Sequence, residues 1–261
     1  MRLHSAGAVA PGEGDMKQIR TLIHVHTDHS YDSDISVREL ARFLERERFD
    51  CVAVTDHDTI DGALRLAAMG DARVIIGEEV TTRDGHLIGL FHEEWVRPGM
   101  SALDTANAIH AQGGLVLLPH PFVTMFSCGL GHAAWEIADR VDAVEVFNAQ
   151  NIWPGADRKA REFAAALGLC TYVGADSHSA RSIAPAYQVM PDFDTPAEFM
   201  ASLRAARTCC ARHPMSFFLG AAYRTARHLL GLPLPSGFGA RHRPAPRRKA
   251  ETLPRALPQA S

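Results

Sequence analysis

At 261 residues, 46% of them apolar, the chain has the length and the core material of a single α/β barrel. The formal net charge of -3 gives no general electrostatic attraction for nucleic acid or for a membrane surface. No apolar stretch approaches the roughly 20 residues of a membrane span, and the N-terminus lacks the apolar segment of a signal peptide. The five cysteines form no Cys-x-x-Cys pair, which favours free thiols in a reducing compartment. We therefore expect a cytoplasmic protein.

Strand and helix patterns alternate along the central part of the chain. Apolar runs predict strands at 20–25, 51–55, 74–82, 86–91, 115–118, 143–147, 170–173 and 208–212. A turn at 83–85 predicts that 86–91 returns as a hairpin partner. Capping residues and helical periodicity predict helices starting at Ser36, near 60, at Ser101, around Trp135, at 156 and at Thr195.

Strands that alternate with helices are typical of a largely parallel sheet covered by helices. The repeat count, near seven, favours a barrel over an open sheet. We predict a disordered segment at 1–18, a barrel at 19–214, a C-terminal helix at 215–235 and a disordered basic tail, rich in Pro and Ala, at 236–261. We expect the tail to be a solvated segment, although its basic residues could contact nucleic acid or an acidic surface.

Histidines and carboxylates recur where these strands are predicted to end. Function gathers at the C-terminal ends of barrel strands, and imidazole and carboxylate are ligands of divalent metals. Alternate side chains of a strand share a face, so a His-x-His or Asp-x-His pair can reach one ion. The runs predict a polynuclear site with these metal ligands: His24, His26, Asp32, His57, Glu79, His86, His120, Asp176 and His178.

Eight or nine ligands are too many for one ion and suit two or three divalent metal ions. Clustered ions activate a water molecule and clamp anionic oxygens, which favours phosphoester hydrolysis. Arg158 and Arg181 are candidates for holding the phosphate in a fork geometry. Asn148 is a further candidate substrate contact, and Glu145 is either a strand-end salt-bridge residue or a part of the site. Asp56 and Asp58 are expected to orient His57 rather than to bind metal.

The motifs resemble those of a PHP (polymerase and histidinol phosphatase) domain, in the order of that family and over about residues 20 to 212. The first is His-Val-His-Thr-Asp-His-Ser-Tyr-Asp at 24–32, and the second is Thr-Asp-His-Asp at 55–58. Gly-Glu-Glu at 77–79 with Gly-His-Leu-Ile-Gly at 85–89 resembles the third. Pro-His-Pro at 119–121, Val-Glu-Val-Phe-Asn at 144–148 and Gly-Ala-Asp-Ser-His at 174–178 complete the series. The family spacing Gly-x-Glu selects Glu79 over Glu78.

The resemblance implies a distorted (β/α)7 TIM-like barrel with up to three manganese, zinc or iron ions. One ion would be bound by His24, His26, Glu79 and Asp176. Glu79 would bridge to a second ion held by His86 and His120, and Asp32, His57 and His178 would hold a third. Glu79, Asp176 and His178 are the residues expected to carry catalysis. No motif position is lost, and only about 28 positions separate His92 from His120, so no inserted lid domain is expected.

The resemblance implies a metal-dependent phosphoesterase that hydrolyses a phosphate ester with metal-activated water. The expected partner is a small phosphorylated substrate, a nucleotide or the end of an oligonucleotide. One alternative is a metal-dependent amidohydrolase, but Lys17, Lys159 and Lys249 do not lie at strand ends, where a carboxylated lysine would be needed. The other alternative is a non-catalytic, metal-stabilised module that recruits a partner through its C-terminal helix and tail.

Overall fold

The computed structural model describes residues 17–125, 128–152, 154–181, 183–212 and 215–232. The predicted disordered tail at 236–261 lies outside the described residues. So does the predicted N-terminal segment, except for its last two positions, and Gln18 already begins the first strand.

Nine strands form one sheet in the described part of the chain, in the order β7-β6-β5-β4-β3-β2-β1-β8-β9. Strands β1, β2 and β3 are mutually parallel, as are β5, β6 and β7, whereas β4 is antiparallel to both of its neighbours. The strand bounds are β1 Gln18–Val25, β2 Cys51–Val54, β3 Arg73–Thr81, β4 His86–Leu90, β5 Leu115–Leu118, β6 Ala143–Asn148, β7 Cys170–Gly174, β8 Ala186–Pro191 and β9 Arg207–Cys210.

The first seven strands curl into a nearly closed barrel. Its two edges meet just beyond β7, where the Ala175 N–H donates to the Ile23 carbonyl at 3.0 Å and the His26 N–H donates to the Ser177 carbonyl at 3.1 Å. The predicted distorted TIM-like barrel is therefore confirmed. The reversed strand β4, which the turn at 83–85 predicted, is one source of the distortion.

Strand β8 is the element that the sequence analysis did not predict. It pairs antiparallel with β1 and then with β9, outside the barrel. Its central Gln188 is fully buried, and the Gln188 side chain accepts a hydrogen bond from the Val173 N–H at 2.8 Å. A polar residue facing inward and a terminal Pro191 hid the apolar pattern of this short strand.

Helices connect most of the strands and cover the barrel. Side-chain caps begin three of them as predicted, because the oxygens of Ser36, Ser101 and Thr195 accept the backbone N–H of the third helical residue. The bounds are α1 Val37–Glu47, α2 Asp61–Ala67, α3 Ala102–His110, α4 Ala133–Glu136, α5 Pro154–Leu167, α6 Pro196–Arg204 and α7 Met215–Leu229. Within the described residues, no helix has the length and apolar composition to cross a bilayer.

The barrel interior changes from apolar to polar along its strands. Ile23, Ala53, Leu117 and Tyr172 belong to a buried apolar cluster that fills the barrel. Because alternate residues of a strand share a face, Glu145 follows Ala143 inward one step nearer the carboxyl end. The apolar layer therefore supports a layer of buried charged side chains at the end of the barrel where the strands finish.

Candidate metal centre

All nine predicted ligands come together at the carboxyl ends of the strands. They group into sets whose nitrogen and oxygen atoms lie within 4.8 Å of one another. Most are almost completely buried, and His86 and Asp176 are the most exposed, with side chains 13% and 12% accessible. The sets are His24, His26 and Glu79; His57, Glu79 and His86; His24, His120 and Asp176; and His26, Asp32, His57 and His178.

The Glu79 carboxylate lies at the centre, and its two oxygens face different histidines. Oε2 lies 3.1 Å from His24 Nε2 and 3.2 Å from His26 Nε2. Oε1 lies 2.8 Å from His86 Nδ1 and 3.0 Å from His120 Nε2. A carboxylate that divides its oxygens in this way has the geometry of a bridge between two cations.

Asp176 and Asp32 extend the cluster on either side of His26. Asp176 Oδ1 lies 3.5 Å from His24 Nε2 and 3.6 Å from His26 Nε2. These are the two histidines that Glu79 Oε2 also faces. Asp32 Oδ2 lies 3.1 Å from His178 Nε2 and 3.4 Å from His57 Nε2. Three acidic side chains thus serve four neighbouring ligand sets, and Glu79 belongs to two of them.

Unusual backbone geometry aims several ligands into the cluster. His24, His120 and Asp176 have φ of 67°, 27° and 44°, in or near the left-handed region that non-glycine residues seldom adopt. His24 also lies where the pairing of β1 with β2 shifts register. Backbone strain of this kind persists where surrounding structure over-determines it, often at functional sites. The His-x-His pair thus reaches one site through a distorted strand end rather than a regular pleat.

A buried carboxylate behind His24 fixes that imidazole. Glu145 Oε1 lies 2.8 Å from His24 Nδ1, and Glu145 Oε2 accepts hydrogen bonds from the His120 N–H at 2.7 Å and the Asn148 amide at 2.9 Å. Such a carboxylate sets the tautomer and the ring orientation of a metal-binding histidine. The same Asn148 amide donates to Asp176 Oδ2 at 2.8 Å. Of the two roles that the sequence left open for Glu145, these contacts favour a place in the candidate site.

Asp56 organises the first loop rather than facing the cluster. Its carboxylate accepts hydrogen bonds from the Thr27 N–H and hydroxyl and from the Ser30 hydroxyl. Ser30 Oγ in turn accepts the His57 N–H at 2.8 Å. Asp56 thus acts on His57 through Ser30, as the sequence analysis expected.

The buried histidines and carboxylates of the cluster shift one another's pKa values. Burial alone would raise the pKa of Glu79, but the surrounding histidines, His57 first, hold that pKa well below its usual value. Burial alone would lower the pKa of His57, yet Glu79 and Asp32 raise it to about 10. Burial and the neighbouring His178 lower the pKa of His26 to about 3. Without metal, protonated histidines supply part of the positive charge that the ionised carboxylates require.

The donor set fits divalent cations. Imidazole nitrogens and carboxylate oxygens suit zinc, manganese and iron, and the carboxylates are held in their ligating form. Asp32 Oδ1 and His57 Nδ1 are buried and lack a hydrogen-bond partner among the described residues. Burying polar atoms without partners is costly, and coordination to an ion would satisfy them. Metal binding would also displace the protons from His24 and His57.

Two predicted substrate contacts lie outside this cluster. Arg158 is exposed on α5, where its guanidinium lies 3.8 Å from Glu162. Arg181 is exposed in the loop that follows β7. The third, Asn148, lies inside the site, but its amide already donates to two carboxylates.

The structure adds residues that the sequence analysis missed. The Gln150 amide contacts the Asp176 carbonyl and His178 Nδ1. Tyr31 stacks on His57, with ring centroids 4.9 Å apart. Arg224 of α7 reaches the backbone of Asp32 and His178. The only sequence signal for the first two was their position beside motif residues, and Arg224 lies far from every motif.

The barrel and its buried His/Asp/Glu cluster define an α/β-barrel protein with a candidate metal centre. A family model described as PHP-associated (PHP_C) matches residues 154–208. Two uncharacterized proteins of Methanocaldococcus jannaschii are similar in sequence. MJ1587 is 34% identical over 140 residues, covering 49% of this chain and 80% of that protein. MJ0417 is 30% identical over 193 residues, covering 70% of this chain and 78% of that protein.

Solved structures share the fold at low sequence identity. A two-domain protein from Bacteroides vulgatus, described as containing a predicted PHP-like metal-dependent phosphoesterase, superposes with a TM-score of 0.60 at 13% identity, covering 84% of this chain and 75% of that one. The lesion-specific endonuclease PfuEndoQ from Pyrococcus furiosus superposes with a TM-score of 0.53 at 14% sequence identity, covering 72% of this chain and 56% of that one. An amidohydrolase from Chromobacterium violaceum superposes with a TM-score of 0.51 at 15% sequence identity, covering 78% of this chain and 96% of that one. The chain belongs to the PHP domain family.

Proposed function

We propose that this protein is a metal-dependent phosphoesterase that uses two or three divalent ions, manganese, zinc or iron. The observation that carries the proposal is the central Glu79 carboxylate, which divides its oxygens between two pairs of histidines. Asp176 and Asp32 provide further anionic ligands on the adjoining sets. Phosphoester hydrolysis is a reaction that adjacent cations favour strongly, because its transition state spreads negative charge over phosphoryl oxygens.

The chain would contribute rigid placement of charge. Bound divalent ions would supply an activated water and stabilise the anionic oxygens of the ester. Glu79 would fix the separation of two ions, and Glu145 would hold His24 in its ligating orientation. Asn148 would orient Asp176 rather than touch the substrate, because its amide is already engaged. Asp176 and His178, whose side chains lie 3.3 Å apart and belong to adjoining ligand sets, would carry catalysis together with Glu79.

The substrate class we propose is a phosphate ester with an accessible end: a small phosphomonoester, a nucleotide or an oligonucleotide terminus. His86 and Asp176 have side chains only 13% and 12% exposed, so only a slender group can approach them. No inserted domain separates β4 from β5, where α3 alone forms the connection. A structural neighbour described as a lesion-specific endonuclease has the same fold, so nucleic acid is included among the substrates to be tested.

The amidohydrolase alternative gains little support from the site. An amidohydrolase among the structural neighbours shares the fold. Lys17, however, is exposed and lies 3.7 Å from Asp192, and Lys159 is exposed on α5. Lys249 lies outside the described residues. Within the part of the chain that the structure describes, no lysine is placed to bridge two ions as a carbamate.

The test is hydrolysis of a panel of phosphomonoesters, nucleotides and short oligonucleotides with added Mn²⁺, Zn²⁺ or Fe²⁺. His26→Ala and Asp176→Ala remove central ligands, and His132→Ala is the matched control because that side chain is 88% exposed. We expect release of phosphate or nucleotide by the wild type and by the control, and none by the two ligand variants. No turnover of any phosphate ester by a wild-type protein loaded with metal would refute the proposal and favour a binding module.

A further inference from the structure

Helix α7 contacts the candidate metal centre although it follows the barrel and every sequence motif. Arg224 lies near its middle and is only 6% exposed. Arg224 and His228 are four residues apart and therefore share one face of the helix. Both face the loops that carry Asp32, His57 and His178, three of the four members of one ligand set.

Arg224 joins the backbones of two members of this set. Its Nε donates to the Asp32 carbonyl at 2.6 Å, and its Nη2 donates to the His178 carbonyl at 3.2 Å. The Asp34 N–H donates to the same His178 carbonyl at 3.1 Å, and Asp34 Oδ2 lies 3.8 Å from Arg224 Nη1. The planar, rigid guanidinium is suited to holding two acceptors in a fixed relation. The two loops are therefore fastened together directly behind their ligand side chains.

The third member of the set is reached through a stack of rings. Tyr31 lies between His57 and His228, with ring centroids 4.9 Å and 4.0 Å away and interplanar angles of 18° and 9°. His228 thus presses Tyr31 against the His57 imidazole from the side of α7. Through Arg224 and His228, the helix therefore contacts the backbones of Asp32 and His178 and, by way of Tyr31, the ring of His57.

We propose that α7 assembles the third cation position, with Arg224 as a positioning residue and His228 supporting it through Tyr31. This inference rests on the proposed metal site and goes beyond it, because it makes a helix outside the barrel a part of the site. Of the histidines around Glu79, His26 and His57 also belong to this ligand set. His24, His86 and His120 lie on or beside β1, β4 and β5. Loss of the helix contacts should therefore weaken the position formed by Asp32, His57 and His178 more than the others.

The experiment is a calorimetric titration of the metal-free full-length chain with Mn²⁺ and with Zn²⁺. Elemental analysis then gives the number of ions bound per chain. Arg224→Met removes the fork, and Arg224→Lys keeps the charge but cannot reproduce the paired, planar donors. Arg227→Met is the matched control, because it removes the same kind of side chain from the same helix, where Arg227 contacts Tyr223.

We expect the wild type and Arg227→Met to bind three ions. In Arg224→Met, one of the three should bind about 10–100-fold more weakly, as is usual when a partner that orients metal ligands is lost. Arg224→Lys should show a smaller loss at the same position, and it carries the test if Arg224→Met fails to fold. His228→Ala should weaken the same ion.

Three results would overturn the inference: unchanged binding of three ions by both Arg224 variants, equal weakening of all ions in a folded variant, or a wild type that binds only two. Hydrolysis is measured separately on the same samples. A wild type that binds three ions, shows the Arg224 effect and cleaves no phosphate ester would refute the proposed function while supporting this role of α7.

Discussion

Replacement of Gly174 by alanine should displace the buried carboxylate that orients His24. A Cβ built on Gly174 would lie 1.6 Å from Glu145 Oε1 and 2.6 Å from its carboxyl carbon. Contacts below 3.0 Å do not occur for real Cβ atoms, so Glu145 must move. It cannot swing into solvent, because it is 1% exposed and lies under the ligand layer.

The cost follows from the bonds that Glu145 makes. Its oxygens face His24 Nδ1 at 2.8 Å, the His120 N–H at 2.7 Å and the Asn148 amide at 2.9 Å. Hydrogen bonds to charged groups contribute about 1.5–3 kcal/mol each, so losing two costs about 3–6 kcal/mol. For a domain of this size that lowers Tm by at least about 6 °C. Loss of the carboxylate partner should also weaken metal binding about 10–100-fold.

The assay is thermal unfolding of Gly174→Ala in chelator and in saturating metal, with metal content measured on the same samples. Gly155→Ala is the matched control, because a Cβ there meets nothing within 4 Å and alanine favours the helix α5. The control should be as stable as the wild type or slightly more so. A Gly174→Ala protein with wild-type Tm and wild-type metal affinity would refute the reasoning, since Glu145 would then have room to move without loss.

Two further predictions concern neighbouring buried groups. Glu79→Gln should abolish binding of at least one ion, because an amide nitrogen would replace a carboxylate oxygen facing the imidazoles. Glu78→Gln should bind metal normally, because Glu78 accepts the Val96 N–H at 2.9 Å instead of facing the cluster. Equal metal content in the two variants would contradict the central role of Glu79. Burial lowers the pKa of His92 below its ordinary 6.5, so its contribution to stability is present above pH 6.5 and is lost as the pH falls below it. Urea unfolding in chelator between pH 7 and pH 5 should therefore show a smaller loss of stability in His92→Gln than in the wild type, and equal losses would show that His92 is not buried in its neutral form.

The ligand residues were predictable because their signal is local and repeated. Each short run, such as His24-Val25-His26 or Asp176-Ser177-His178, ends a strand, and barrel topology brings strand ends together. The hairpin strand β4 was also predictable, because the turn before it is encoded in three consecutive residues. The cluster around Glu79 thus follows from periodicity together with one rule of topology.

Other parts of the molecule depend on contacts that sequence spacing does not encode. The strand β8 is recognisable only once Gln188 is seen to accept the Val173 N–H. Arg158 and Arg181 were selected for charge and approximate position, yet α5 and the loop after β7 expose both. The charge of a residue on a helix or loop does not show whether its side chain points toward the site. A strand residue can point only to one of the two faces of the sheet, so its side-chain direction is easier to predict.

The division between strands and later elements also explains how the site can be built in two stages. Glu79 and its histidines are held by β1, β3 and β4 and by the loop after β5, which the closed barrel already fixes. Asp32 and His178 lie on loops beyond the strand ends, which the Asp34 N–H joins by donating to the His178 carbonyl at 3.1 Å. Arg224 adds a second tie between the same loops, from a helix 192 residues along the chain from Asp32. The loops that carry Asp32 and His178 are thus constrained both by the barrel end and by α7.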